Sequence, residues 1–394
     1  MTDFTQKRRK TKPVFVGNVQ VGGGAPVVVQ SMADTDTRDT LATMGQINDL
    51  EEVGCEIVRV AVPDMDAAKC IRTLKAGTNL PLVADIHFDY RLALEALKGE
   101  IDCLRINPGN IRAYGGGEHK VKELARACND LGVPIRVGVN SGSLEVELVD
   151  KYGGPMPEAM VESALRHVEL LEKYNFDSIK ISLKASDVWR TVSAYRLIAE
   201  KVDYPLHLGV TEAGAHVTGA IKTTAAFSLL LSEGVGDTIR VSLAADPVEE
   251  VKVGYEILKS LELRHRGVNV VACPTCGRIQ IDVEGLANQL EKALAHVKHP
   301  ITVAVMGCEV NGPGEAKDAD IGIAGGKGEG MIFKKGQKYR KVKEEEFFDT
   351  IVEEIERMAA EGELTAQGES GGAEEEPWEP PLPEGIKVRL PVIP

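Results

Sequence analysis

Between residues 25 and 265 the chain alternates between two hydrophobic periods. Short β-branched runs that end in polar residues are each followed by a stretch in which apolar positions recur every three or four residues. The runs are Val27–Ser31, Ile57–Val62, Pro81–His87, Ile101–Asn107, Pro134–Asn140, Ser178–Lys184, Pro205–Glu212 and Thr238–Leu243. Apolar runs of this length read as buried strands, and the periodic stretches between them as helices, among them Arg91–Lys98, Lys120–Leu131, Met156–Tyr174, Ala220–Glu233 and Pro247–Leu263. Eight strand–helix units in about 240 residues have the count and length of a (β/α)8 TIM-like barrel. An open doubly wound sheet would show fewer strands and a nucleotide fingerprint. No Gly-x-Gly-x-x-Gly follows the first strand, and Gly322–Lys327 lacks the spacing and the hydroxyl residue of a phosphate loop.

After Leu263 the pattern changes. Val268–Ala272, Ile301–Met306 and Ile321–Ala324 read as strands, Met331–Tyr339 as a hairpin, and Val283–His296 and Glu344–Met358 as helices. The predicted organisation is an α/β barrel over 25–264 that binds substrate, preceded by an N-terminal arm over 1–24. A small α+β domain carrying the cysteine site occupies 265–360, and an acidic, proline-rich tail 361–394.

Charge refines this picture. The net charge is −14, but residues 361–394 alone carry eight acidic and two basic side chains, so the folded part is less acidic than the whole. No long basic face is present, which argues against nucleic acid as a partner. The run Lys7–Lys12 reads as a solvated terminal arm. No apolar run approaches the ~18 residues of a membrane span, and no hydrophobic core of a secretory signal follows the basic N-terminus, so a cytoplasmic location is expected.

Of seven cysteines, Cys55, Cys70, Cys103 and Cys128 lie among apolar residues and read as buried thiols. Cys273, Cys276 and Cys308 differ. The first two form Cys-x-x-Cys after one predicted strand, and the third ends the next strand in a loop rich in glycine and proline. If those strands are neighbours, the three thiols share one sheet edge. Zinc would complete its shell with Cys or His, but the nearby His299 precedes a strand that leads away from that edge. Glu315, seven residues beyond Cys308, is the better-placed fourth donor. Its carboxylate on one iron of a [4Fe–4S] cluster would be displaceable by substrate. Spacing alone leaves both a zinc knuckle and a cluster open.

At the C-terminal ends of the eight runs stand Arg59, Asp85, His87, Arg105, Asn107, Arg136, Asn140, Lys180, Ser182, Lys184, His207, Thr211, Glu212, Arg240 and Ser242. Strand C-termini form the mouth of a barrel, and four Arg with two Lys converging there call for a polyanion of about diphosphate size. Asp85, His87 and Glu212 supply proton-transfer groups. The residues also leave room for a Schiff-base lyase on Lys180 or Lys184 with structural zinc, and for an iron–sulfur redox sensor, although a sensor has no need of a phosphate cage.

Several separated motifs agree in order with one family. Cys273-Pro-Thr-Cys-Gly-Arg278, Cys308-Glu-Val-Asn-Gly-Pro-Gly-Glu315 and Leu104-Arg-Ile-Asn-Pro-Gly-Asn110 resemble 4-hydroxy-3-methylbut-2-enyl diphosphate synthases. So do Val29-Gln-Ser-Met32, Ala84-Asp-Ile-His-Phe88, Val137-Gly-Val-Asn-Ser-Gly-Ser143 and Gly209-Val-Thr-Glu-Ala-Gly214. The resemblance spans roughly residues 8–358. It implies an oxidoreductase of the methylerythritol phosphate route to isoprenoids that reductively opens 2-C-methyl-D-erythritol 2,4-cyclodiphosphate. A [4Fe–4S] cluster on Cys273, Cys276, Cys308 and Glu315 would be fed by flavodoxin or ferredoxin. Arg278 and Asn311, beside those ligands in sequence, are expected to meet the substrate from the cysteine side, and Ser143 from the barrel. Plant-like members carry an extra domain that this chain lacks, and the acidic tail departs from the pattern. Because the eighth helix returns the chain to the barrel's underside, the cysteine domain is expected to cap a partner's mouth in a head-to-tail homodimer.

Overall fold

In the computed structural model the described residues are 8–87, 89–107, 118–308, 314 and 319–361. A short antiparallel hairpin, β1 (Val14–Val16) and β2 (Val19–Val21), comes first. Eight parallel strands then follow: β3 (Val28–Met32), β4 (Ile57–Ala61), β5 (Leu82–Ile86), β6 (Cys103–Ile106), β7 (Ile135–Asn140), β8 (Ile179–Lys184), β9 (His207–Leu208) and β10 (Thr238–Ile239). Their order in the sheet is β8-β7-β6-β5-β4-β3-β10-β9, and a parallel bridge between Ile181 and Leu206 brings β9 back to β8. The ring is the predicted barrel.

Outside it run α1 (Thr40–Glu52), α2 (Met65–Gly77), α3 (Tyr90–Lys98), α4 (Glu118–Leu131), α5 (Val146–Tyr152), α6 (Pro157–Glu172), α7 (Val188–Ala199), α8 (His216–Ser232) and α9 (Pro247–Ser260). Aspartates 39, 64, 89, 187 and 246 accept first-turn N–H groups of α1, α2, α3, α7 and α9, which fixes where those helices begin. Strand and helix surfaces meet in one continuous apolar layer that includes Ile47, Leu74, Leu104, Ile135, Leu183 and Leu230.

Two of the strands are much shorter than their sequence runs. β9 leaves the ladder at Gly209, where a Cβ would stand 2.5 Å from Cε of Lys184. The missing side chain makes room for the lysine, and the parting of the strands widens the mouth.

From Arg8 onward the N-terminal arm is docked on the barrel, contrary to the reading of the basic run as solvated. Val16 and Val21 of the hairpin pack with Val28, Ile57, Val83 and Cys103, which lie low on the barrel strands, and so plug its floor. Arg8 donates to the Gly236 carbonyl at 2.7 Å and pairs with Asp237 at 3.1 Å, while Arg9 donates to the carbonyls of Val202 and Tyr204. The guanidinium forks satisfy loop carbonyls on the underside that have no strand partner.

The C-terminal domain consists of β11 (Val268–Ala272), α10 (Val283–Ala293), β12 (Ile301–Met306), β13 (Ile321–Gly325), β14 (Glu329–Lys334), β15 (Gln337–Lys343) and α11 (Phe347–Ala360). Its sheet order is β11-β12-β13-β14-β15, parallel over the first three strands and antiparallel over the last two. Val303, Val305, Ile323 and Ile332 pack against Leu290, Ile351 and Ile355. The junction lies under the barrel: Arg264 donates to the Val27 carbonyl at 2.8 Å and pairs with Glu56 at 3.2 Å, both just ahead of their strands.

Candidate functional site

The mouth is built by strand parity. Side chains two apart share a face, and register carries that face from one strand to the next: Arg59 beside Met32, Arg105 beside Asp85, Arg136 beside Arg105, Lys180 beside Arg136, and Lys184 beside Asn140. This is the inner face, which most barrels fill with branched apolar side chains.

Asp85 anchors one side. It is 2 % exposed, accepts from Arg105 Nη1 at 3.0 Å, lies 3.2 Å from His87 Nε2 and 3.8 Å from Arg59 Nε. Burial opposes its charge, yet Arg59, Arg105 and the His87 contact together hold its carboxyl well below the usual range. Arg105 also donates to the Gly138 carbonyl at 3.2 Å, and a Cβ on Gly138 would come within 2.6 Å of Arg105 Nε. Arg59 turns toward the Met32 sulfur, 2.6 Å from Nη2. Asn107 donates to Ser143 Oγ at 2.9 Å, and Ser143 in turn reaches the Asn140 carbonyl at 3.4 Å.

Sequence reasoning missed the anchor on the other side. Glu250, on the first turn of α9, is 3 % exposed and pairs with Arg240 at 3.1 Å. It also accepts from Ser31 Oγ and from the Leu243 amide, each at 3.0 Å. An acidic residue at a helix start reads as a solvated partner of the helix dipole. The neighbouring motif that holds Ser31 was the signal that could have turned it inward.

Cations outnumber acids here. Among the described residues Arg59, Arg105, Arg136, Arg240, Lys180 and Lys184 face two buried carboxylates, Asp85 and Glu250. The excess leaves its mark on the most deeply buried groups. Burial and then Arg105 push the Arg136 guanidinium down to about 10. Burial, then Arg136, Arg59 and Arg240, holds Lys184 well below the ordinary lysine value. His207 is fully buried with Nδ1 3.0 Å from Thr238 Oγ1, and burial with Arg136 and Lys184 keeps it well below the ordinary histidine value. Lys180 and His207 therefore sit in an inner layer beneath the mouth, not at its lip. Tyr195 supports that layer from outside, donating to the His207 carbonyl and accepting from the Leu183 amide at 3.1 Å.

Ser182 is buried, whereas Thr211 and Ser242 are half-buried at the lip. Glu212 is exposed on the loop after β9 and holds a left-handed backbone, φ 52°, which costs a non-glycine residue energy and aims its side chain by loop geometry. A mouth so charged can hold a dianion and offer Asp85–His87 and Glu212 as proton donors.

In the C-terminal domain Ala272 pairs with Val305, so Cys273 and the Gly307–Cys308 corner end neighbouring parallel strands, as the thiol argument required. The Gly307 amide donates to Cys273 Sγ at 3.2 Å, and a Cβ on Gly307 would meet Val283 at 2.8 Å. The Cys-Pro-Thr-Cys loop folds back through a 2.9 Å bond from the Gln280 amide to the Gly307 carbonyl, which leaves Cys276 and Arg278 exposed. All three thiols are free of disulfides. Among the described residues no three His, Cys, Asp or Glu side chains stand close enough to share a metal ion. Asn311 and Glu315 lie outside the described residues. Three reduced thiols at or beside one sheet edge, with an amide already directed at a sulfur, are donors suited to a thiolate-rich metal centre. Among the described residues no helix is long and apolar enough to cross a membrane.

Comparison with known proteins agrees with both halves. Residues 11–255 match the GcpE TIM-barrel domain and residues 269–357 the GcpE protein C-terminal domain. A protein of Symbiobacterium thermophilum named 4-hydroxy-3-methylbut-2-en-1-yl diphosphate synthase (flavodoxin) is 57 % identical over 355 residues, covering 90 % of this chain and 95 % of that one. One of the same name from Geobacter sulfurreducens is 57 % identical over 354 residues, covering 90 % and 99 %.

Proposed function

The chain belongs to the GcpE family, and from that premise we infer that it is an oxidoreductase of isoprenoid precursor biosynthesis. It opens the ring of 2-C-methyl-D-erythritol 2,4-cyclodiphosphate to give 4-hydroxy-3-methylbut-2-enyl diphosphate. Two electrons enter, a C–O bond to the cyclic diphosphate breaks, and a hydroxyl leaves with a proton as water. The observation that carries this reading is the cation excess of the mouth, since a buried layer of arginines and lysines needs a polyanion to balance it. The Schiff-base and sensor readings find no support in the relatives. Lys180, the deeper candidate amine, is also shut away from any carbonyl substrate.

Arg59, Arg105, Arg136, Lys184 and Arg240 grip the diphosphate, with Asn107, Asn140, Ser143, Ser182, Thr211 and Ser242 offering hydrogen bonds around it. Asp85 keeps Arg105 and His87 oriented. Cys273, Cys276, Cys308 and Glu315 would hold a [4Fe–4S] cluster, which supplies single electrons and a Lewis-acidic iron. Arg278 and Asn311, in the two ligand-bearing loops, would meet substrate from the cysteine side. Flavodoxin, named for the relatives, is the electron donor that best suits this arrangement, with ferredoxin as its functional equivalent. Free thiols at this edge suit a cytoplasmic location, where they stay reduced.

Protein purified without oxygen is expected to carry about four irons and four sulfides per chain and to reduce the cyclodiphosphate with reduced flavodoxin. One zinc without sulfide would overturn the redox chemistry. Glu212, exposed on a strained loop at the lip, is proposed to protonate the departing hydroxyl. Glu212→Gln is expected to cut kcat by about 10²–10³ with iron content unchanged, and unaltered turnover would remove it from the proton path.

A head-to-tail dimer completes the site. The cysteine domain leaves from beneath the barrel, while the helix N-termini around the mouth expose Leu41, Val146, Trp189, Val217 and Ile221. An apolar rim of this kind suits a second copy's cysteine domain closing over it.

A further inference from the structure

Asp85, Arg105, Arg136 and Lys180 stand abreast on β5, β6, β7 and β8, each the register partner of the next. The row descends into the barrel, because Asp85 is next to last on its strand and Lys180 is second on its own. At ~3.3 Å per residue Lys180 lies about 13 Å along the strand from Lys184, on the side of the barrel floor. It is 0 % exposed. Its Nζ has no hydrogen-bond partner, and neither do Nε and Nη1 of Arg136 or Nε2 of His207.

The groups that face it do nothing to balance an ammonium. β6 presents Cys103 and Arg105, β7 presents Arg136, its own strand Lys184, β9 presents His207, and Arg59 and Asp85 complete the ring. Burial holds Cys103 as a thiol. Asp85 is already engaged by Arg105, His87 and Arg59. Burial loosens the hold of Lys180 on its proton; Cys103 opposes this and Arg136 adds to it.

We propose that Lys180 is a positioning residue whose amine gains a proton from solvent when the diphosphate settles on the arginines above it, so that substrate binding is coupled to proton uptake. This rests on the cyclodiphosphate reading of the mouth. The incoming dianion supplies the negative potential that the empty layer lacks. The charged Lys180 then holds Arg136 upward by repulsion from below. The ligand cannot be the proton's source or sink, since each phosphorus of a cyclic diphosphate bears one strongly acidic hydroxyl, already ionised near neutrality. The proton comes from buffer and goes to Nζ.

The sign follows from linkage. A group that holds its proton more tightly in the complex makes binding weaken as pH rises through the window between its free and bound values. The limit is about tenfold in Kd per pH unit for one coupled proton. Calorimetric titration of the anaerobically purified full-length protein with the cyclodiphosphate, at a series of pH values from neutral up to the ordinary lysine range, each in two buffers of different ionisation heat, reads the uptake directly. The expected result is an uptake that grows with pH toward one proton per barrel, cut by half or more in Lys180→Met. Lys180→Arg, which stays charged throughout, should bind with the same reduced uptake and a flatter pH dependence. Equal heats in the two buffers for the unmutated protein would overturn the proposal, and that comparison stands even if a variant fails to fold. Undiminished uptake in both variants would overturn it too. A protein that does not bind the cyclodiphosphate at all would instead refute the functional reading beneath it.

Discussion

Cys308→Ser is expected to leave a protein that folds and binds the cyclodiphosphate but does not turn it over. Cys308 lies two residues past the end of β12, outside the apolar layer that Val303, Val305, Leu290, Ile323 and Ile351 form, so the sheet keeps its packing without the thiol. The diphosphate grip belongs to another domain, whose Asp85 and Glu250 anchors never touch this edge. Losing one of three thiolates should lower bound iron and sulfide from about four each to less than one. Turnover with reduced flavodoxin should fall at least ~10³-fold while Kd for substrate stays within about threefold. Cys276→Ser should behave alike. Cys103→Ala and Cys55→Ala are the controls: both thiols are buried in the barrel, that of Cys55 pushed up to about 12 by burial, and neither should change the iron content. Full iron and full turnover in Cys308→Ser would break the link between this edge and the chemistry.

Much of this architecture is readable in the chain because the period of its apolar residues changes where the structure does. Nine of the strands predicted across both domains match within two residues at each end, as with Ile57–Val62 against Ile57–Ala61, since β-branched runs flanked by turn residues leave little choice. β9 failed because its run contains Gly209, and whether a glycine continues a strand or ends it depends on what approaches; here it is Lys184. The floor hairpin was visible as Val-Phe-Val and Val-Gln-Val around Gly17-Asn18, a turn dipeptide with Gly17 at φ 56°. The basic run before it drew attention to charge instead. In the mouth, strand-end position collected the cations but settled neither which of them turn inward nor their depth. Depth depends on the stagger of the barrel, which carries one register row from Asp85 near its strand's end down to Lys180 near the start of its own. Glu250 was invisible for a related reason: only the closed ring brings the first turn of α9 against Ser31 and Arg240.

Asp85→Asn should damage stability and catalysis together. The carboxylate is the counter-ion of Arg105 and lies against Arg59, so its neutral replacement leaves buried guanidinium charge unbalanced. Breaking a buried pair in this way costs about 3–5 kcal/mol, which at roughly 2–4 °C per kcal/mol lowers Tm by about 10 °C. The loss should depend on pH in a defined direction. Because the folded carboxyl sits well below its ordinary value, its contribution is complete above the unfolded value near 3.9 and fades as pH falls toward the folded one. The variant and the unmutated protein should therefore converge in acid and differ fully at neutrality; a constant difference down to acid would show that Asp85 does not act through its charge. Loss of orientation of Arg105 and His87 should lower kcat/KM by about 10²–10³ with the cluster intact. That intact cluster makes the variant a reagent. Mixed with Cys308→Ser under conditions that exchange subunits, half of the dimers are hybrids. Each hybrid joins one sound barrel to its partner's sound cysteine domain if the sites form in trans. About a quarter of the unmutated activity should then return from two preparations that have almost none. If each chain closed over its own barrel, every site in the mixture would carry one lesion and mixing would restore nothing.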